Sequence, residues 1–206
     1  AQVGVKVSGL LGTVYGESEQ LGDEDIQSVG IGPGFNAGIF FRAGEGFVSF
    51  QGELLYENRG TVSKVDYTSQ IGDISVENKI TYNYVSLPLL AVFNVGNFKP
   101  YVGVSAAYML SANGDITSET PAGTTEMEVD YFDEDIYEDG FFNRLEVGAN
   151  LGIMFQLSEA FHIDLRAYHS LTDLTNNDYD FSIIDQSSRE DSDRAVYIHL
   201  GAGLSF

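Results

Sequence analysis

The chain has 206 residues and carries 31 Asp and Glu against 10 Lys and Arg, with no Cys. A net charge of −21 excludes a nucleic-acid binder, whose phosphate contacts need clustered Lys and Arg. The lack of Cys excludes disulfides, thiolate metal centres and a lipidated Cys, and no run approaches the roughly 20 apolar residues of a membrane helix.

The length suits one domain, residues 1–206. The chain enters a strand almost at once after Ala1-Gln2, as a mature protein does after signal removal. Eight strands are predicted, over 2–15, 29–43, 47–60, 80–95, 98–111, 142–156, 161–174 and 195–206, each with an alternating pattern. In the first, Val3, Val5, Val7, Leu11 and Tyr15 oppose Gly4, Lys6 and Ser8. In the second, Ile31, Phe35, Ala37, Ile39 and Phe41 oppose Gly32, Gly34, Asn36, Gly38 and Arg42. In the third, Val48, Phe50, Leu54 and Tyr56 oppose Ser49, Gln51, Glu53, Glu57 and Arg59. Pro88 introduces a bulge in the fourth that can shift its phase. In the sixth, Leu145, Val147, Ala149, Leu151, Ile153 and Phe155 oppose Arg144, Glu146, Gly148, Asn150 and Gly152. In the seventh, Ile163, Leu165, Ala167 and Leu171 oppose Asp164, Arg166 and Tyr168. The last sets Val196, Ile198, Leu200, Ala202, Leu204 and Phe206 against Tyr197, His199, Gly201, Gly203 and Ser205.

The charges within these strands are Lys6, Arg42, Glu53, Glu57, Arg59, Arg144, Glu146, Asp164 and Arg166, and all fall on the small, polar phase. A narrow eight-stranded barrel fills its interior with side chains, and cations and anions there must pair. An apolar outside around an ionic inside is the inverse of a soluble barrel, which remains the alternative on fold, and points to a transmembrane barrel. Leu10, Phe40, Leu55 and Met154 on the inner phase and His169 on the outer depart from this pattern. Tyr15, Tyr56 and Tyr108 at one end, with Phe41, Phe93, Phe155 and Phe206 at the other, are placed to form interfacial girdles.

Connections alternate between tight turns (Gly44-Glu45-Gly46, Gly96-Asn97, Leu157 to Ala160) and long polar segments near 16–28, 61–79, 112–141 and 175–194. This is the layout of an outer-membrane up-and-down barrel, with long loops extracellular and both termini periplasmic. The long segments, with Asp173 at the edge of the last, hold 25 acidic residues against Lys64, Lys79, Arg189 and Arg194, which is the whole net charge.

Asp130, Asp133, Asp135 and Asp139 offer oxygens to a cation such as Ca²⁺, but without EF-hand spacing or its central Gly. A solvated acidic loop or a partner-contact surface is the competing reading, and the interleaved Tyr131, Phe132, Ile136, Tyr137, Phe141 and Phe142 favour contact. For catalysis, His169 and Ser170 are adjacent in a strand and point to opposite faces, while His199 and Ser205 lie about 20 Å apart along one strand. No catalytic residue and no cofactor is assigned. The ionic set could line a pore, but eight strands leave no aqueous channel.

Glu53-Leu54-Leu55-Tyr56 with Gly60, Tyr84-Val85-Ser86-Leu87-Pro88-Leu89-Leu90, Lys99-Pro100-Tyr101-Val102-Gly103 and Asp164-Leu165-Arg166 together resemble strands of the PorT-like outer-membrane β-barrel family of Bacteroidota. The chain departs at Ala91-Val92, where members often carry Lys, and in its long acidic third loop. The resemblance implies an outer-membrane fold and makes Pro88 a family feature. It also fits terminal Phe206 to the C-terminal signal for membrane insertion, and the family's namesake is linked to type IX secretion.

The sequence reading is therefore an all-β, eight-stranded antiparallel transmembrane barrel, integral to the outer membrane and in contact with its lipid and lipopolysaccharide. Its expected role is non-enzymatic: an accessory subunit of a secretion, insertion or uptake complex, meeting other outer-membrane proteins through its loops. The alternatives are a free-standing surface barrel that binds a ligand or host molecule and, third, a lipid-modifying enzyme.

Overall fold

The computed structural model describes residues 1–15, 26–44, 46–69, 72–121, 123–132, 142–174 and 194–206. The strands are β1 (Gln2–Tyr15), β2 (Ile26–Ala43), β3 (Val48–Ser69), β4 (Gly72–Phe93), β5 (Phe98–Thr120), β6 (Gly123–Asp130), β7 (Leu145–Gln156), β8 (Phe161–Ser170) and β9 (Arg194–Ser205). All pairings are antiparallel. Eight strands close a ring, β1-β2-β3-β4-β5-β7-β8-β9, and β9 returns to β1 along Gly4↔Ser205 to Tyr15↔Arg194. The Phe206 N–H reaches the Val3 carbonyl at 2.9 Å and extends that seam.

Three tight turns shape one end of the ring. At one of them, Val95 and Phe98 exchange backbone hydrogen bonds, and Gly96 adopts φ 63°, which favours glycine. At the other end the strands outgrow the ring. β3 and β4 are 22 residues each, about twice the 9–11 that cross a hydrocarbon layer. Segments 61–79 and 112–141, predicted as polar loops, are in large part strand. Thr61–Ser69 pairs with Gly72–Ile80, and the outer half of β5 pairs with β6, a ninth strand outside the ring. β6 and β7 both run beside β5, β6 along Asn113–Thr120 and β7 along Phe98–Tyr108. Between them the chain leaves the sheet at Tyr131, whose N–H meets Ala112 O, and rejoins at Arg144, whose carbonyl accepts from Met109. The predicted sixth strand therefore starts at Leu145 rather than 142, and the seventh ends at Ser170 rather than 174.

Pro88 sits opposite Ser105 in unbroken register, and Ser86, Pro88 and Leu90 are all buried, so the expected bulge there is absent. The irregularities fall elsewhere. One lies between Asn83 and Tyr84, where β5 holds the extra residue. The other lies between Ile31 and Phe35, where Pro33 leaves the ladder without an N–H and the bulge removes the need for one.

The ring is inside out relative to a soluble protein. Val5, Val7, Leu11, Ile39, Phe50, Leu54, Leu151, Leu165 and Leu200 point outward and are exposed, while the polar phase is buried. Leu10, Phe40, Leu55 and Met154, which depart from the sequence pattern, are buried in the interior alongside the charges. Interior glycines give large rings room: a Cβ on Gly148 or Gly152 would occupy the space of the Tyr168 or Tyr101 ring. At the upper edge of the apolar band, Asn83 accepts from Tyr56 Oη at 2.8 Å and Asn58 Nδ2 at 2.9 Å, and donates to Ser111 Oγ at 2.9 Å. This outward-facing amide belt marks where the outer face of the sheet turns polar.

Candidate functional site

Two regions carry the chemistry of this chain: the interior of the ring and the ribbon above it. In the ring, inward positions of β1, β2, β3, β7 and β8 bring charges together in two clusters. In the lower one, Lys6 Nζ lies 2.5 Å from Asp164 and 3.3 Å from Glu53, and Arg166 reaches Glu53 at 2.8 Å. The Tyr101 hydroxyl donates to Asp164 at 2.6 Å and accepts from Arg166 Nε at 3.0 Å. Arg42 donates to Gln51, whose amide donates to Glu53 at 2.6 Å. Asn36 and His199 lie 3.1 Å apart.

In the upper cluster Arg59 spans the lumen. It meets Glu57 at 2.7 Å on its own strand and Glu146 of β7 at 2.6 Å. The rings of Tyr84, Tyr168 and Tyr197 surround its guanidinium at 4.6, 4.6 and 5.3 Å. Tyr168 also donates to Glu146, and Ser86 to Glu57. Four cations thus balance four anions in a buried interior, where an unpaired charge would cost several kcal/mol. Arg144 is not among them: it is exposed and lies 4.3 Å from the Phe132 ring centroid, because β7 begins one residue later.

Above Arg59 the lumen is stoppered. Tyr82, Tyr84, Ala107, Met109, Ala112, Tyr131, Phe142 and Leu174 form one buried cluster, with Val14, Ile80, Val129 and Phe132 packed against it. Phe142 meets Tyr131 and Tyr82 at centroid distances of 5.3 and 5.4 Å, both edge-on. Asn143 N–H holds the Leu174 carbonyl at 2.9 Å. Of the six aromatic and apolar residues expected at a partner surface, Tyr131 and Phe142 are therefore inside the mouth of the ring and Phe132 is half-buried. Ile136, Tyr137 and Phe141 lie outside the described residues. So do Asp133, Asp135 and Asp139 of the cation candidate. Asp130 accepts the Phe132 N–H at 2.9 Å, and no group of metal-binding side chains occurs among the described residues.

The sequence pattern puts Tyr168 and Tyr197 on the polar phase but assigns neither the place against Arg59 that they take, and it gives no phase to Tyr84 or Tyr101. Tyr84, Tyr101, Tyr168 and Tyr197 all sit on the inward phase, and a polar phase rich in tyrosine beside paired charges is the signal that finds them. Among the histidines, His169 shares a 2.7 Å hydrogen bond with Tyr15, while Ser170 turns inward and donates to Thr172 O. A groove of about 540 Å³ on the outer face, lined by Val7, Phe161, Ile163 and Leu200 among others, contains no titratable group.

In the ribbon, the inward phase of Tyr84 and Tyr82 continues along β4 through Ile80, Asn78, Val76 and Ile74. Cross-strand register carries it to Ile116 of β5 and to Met127 and Val129 of β6. The opposite face holds Glu77 and Lys79, then Asp115 and Glu119, then Glu126, Glu128 and Asp130. Lys79 lies 2.7 Å from Glu77, a contact that raises the pKa of its ammonium group.

Solved structures similar to this fold include the attachment invasion locus protein Ail of Yersinia pestis (TM-score 0.47, 14% identity, covering 100% of this chain and 98% of that one). Others are OprG from Pseudomonas aeruginosa (0.49, 14%, 100% and 96%) and the outer membrane protease OmpT from Escherichia coli (0.44, 10%, 100% and 95%). No curated protein matches the sequence. Residues 1–176 match the family described as outer membrane protein beta-barrel domain, and with an inside-out ring to go with that match, the chain belongs to this family of bacterial outer-membrane barrels.

Proposed function

We propose that the protein is a non-conducting, non-enzymatic subunit of a larger outer-membrane assembly, that its ribbon end is extracellular, and that it acts there on other outer-membrane proteins. One observation carries this reading. The lumen is filled by paired charges and closed by the Tyr131–Phe142 cluster, while the strands continue well beyond the ring into an exposed sheet. A ring plugged in this way offers no path for solute, so the surface left to work is the ribbon. The arrangement of His169 and Ser170, each bonded elsewhere, supports the non-catalytic part, and the PorT-like motifs around Glu53 and Pro88 belong with the same reading.

The test is purification from native membranes in mild detergent at low salt, followed by sizing and mass spectrometry. The expected result is co-elution with other outer-membrane proteins, and a lone monomer would overturn the proposal. In planar bilayers the purified barrel should give no stepwise conductance.

A further inference from the structure

Closing the ring removes every strand edge within it. Among the described residues, β6 is the one strand with a neighbour along a single side over its whole length; the outer part of β2, Ile26–Ile31, is also paired only with β3 but continues into the ring. The eight residues of β6 are nearly all exposed, Met127 at 56%. Such an edge presents a row of unpaired backbone groups to any extended chain.

Its side chains say which chain fits. On the outer face Glu126, Glu128 and Asp130 recur at alternate positions, and Glu128 stands directly opposite Asp115. Like charges paired across strands are destabilising, and Glu126 and Glu128 have no cation partner among the described residues. Lys79, opposite Asp115, makes its ion pair with Glu77. On the inner face Thr125 and Met127 alternate with the acids, and Val129 is packed against the stopper. A second copy of β6 is a poor occupant. Antiparallel pairing centred on Met127 sets Glu126 against Glu128 of the other copy, and parallel pairing in register sets each acid against itself.

We infer that β6 is a docking edge for an extended segment of a partner protein with Lys or Arg at alternate positions and apolar residues between them. The segment adds one strand to the ribbon. Its backbone pairs with the β6 edge, its cations lie beside Glu126 and Glu128, and its apolar side chains cover Met127. This deepens the accessory-subunit reading and rests on it for biological meaning, though the binding itself can be measured with the purified barrel alone.

The experiment uses the full chain in detergent or nanodiscs. One fluorescent peptide alternates Lys with Val. Controls are a peptide of the same composition with its Lys residues in one block, and the alternating peptide with N-methyl groups on every second amide. The alternating peptide should bind at least about tenfold more tightly than either control, and should weaken as salt screens the exposed charges. The double substitution E126K/E128K should abolish that binding and confer binding of the matching Glu-Val peptide, which separates lost charge from lost fold. Equal binding of the block or methylated peptide, or unchanged binding by E126K/E128K, overturns the inference. The accessory reading is judged separately: if native partners stay with the E126K/E128K barrel, docking at β6 falls and the accessory role stands.

Discussion

The ring and the ribbon share strands β3, β4 and β5, yet from β4 to β6 the polarity of their faces is reversed. Below the Asn58–Asn83–Ser111 belt, inward side chains are ionic and outward ones apolar. Above it, inward positions include Ile80, Val76, Ile116 and Met127, with Asn78 the polar exception opposite Ile116, and outward positions are Glu77, Asp115, Glu126 and Glu128. The strands run on through the belt, and both register irregularities of the sheet fall beside it, one next to Asn58 and one next to Asn83. On the proposed orientation the medium on the outer side changes there from lipid to water, and the inner face changes with it, from a lumen packed with paired charges to the cap over the stopper. Tyr56 and Tyr108 are exposed at the level of the belt, where the proposed orientation sets the upper interface of the membrane.

The interior side of the comparison breaks most violently at Arg59. Removing it leaves Glu57 and Glu146 buried without a cation and empties the space between three tyrosine rings. Arg59→Ala should cost about 3–5 kcal/mol, the usual penalty for breaking a buried pair from one side. Urea unfolding of the lipid-reconstituted barrel would show it. The double variant in which Glu146→Gln accompanies Arg59→Met should recover much of the loss, since it also removes one of the orphaned charges.

Two exposed apolar residues sharpen the boundary. Leu151 of β7 is 65% exposed and Met127 of β6 is 56% exposed, so accessibility alone ranks them together. Leu151 lies mid-strand between Val102 and Ala167 on the outer face of the ring, and Met127 lies above the belt, on the side the proposed orientation sets in water. Leu151→Arg should therefore cost about 2–4 kcal/mol, as a charge on the lipid face near the midplane does. Met127→Arg should stay within about 0.5 kcal/mol. Equal costs in the same unfolding assay would move the boundary away from the belt.

This reversal also explains what could be read from the sequence. The strands of the ring were legible because lipid on one side and a lumen on the other force strict alternation, and the charges kept to one phase. The ribbon was not, although Ile74, Val76 and Ile80 alternate with Ser75, Glu77 and Lys79 as a strand should. Its polarity is that of a water-exposed sheet, and charged residues beyond a membrane strand read as loop. Alternation carried upstream of Leu145 puts Arg144 on the inner phase, but β7 begins only at Leu145 and Arg144 is exposed. The acidic neighbours of Tyr131 and Phe142 in sequence point to a surface, but their burial rests on packing against Tyr82, Met109 and Leu174, long-range contacts that no local pattern encodes.

The smallest effect lies at the outer face of the ribbon, and its sign is the informative part. Glu128 faces Asp115 across β5 and β6 in an exposed sheet. Glu128→Lys turns a cross-strand repulsion into an attraction, so it should stabilise the ribbon by a few tenths of a kcal/mol, within the range of exposed cross-strand pairs. The gain should shrink at high salt, because both groups are exposed and screened. Hydrogen exchange of the β6 amides is a suitable readout, since the ribbon can open without unfolding the ring. The same reversal at Glu146, buried beside Arg59, would set two cations against each other in the lumen and should prevent folding. A stabilising Glu128→Lys would also mean that the acidic edge is kept at a cost to the ribbon's own stability, as a surface held ready for a cationic strand would be.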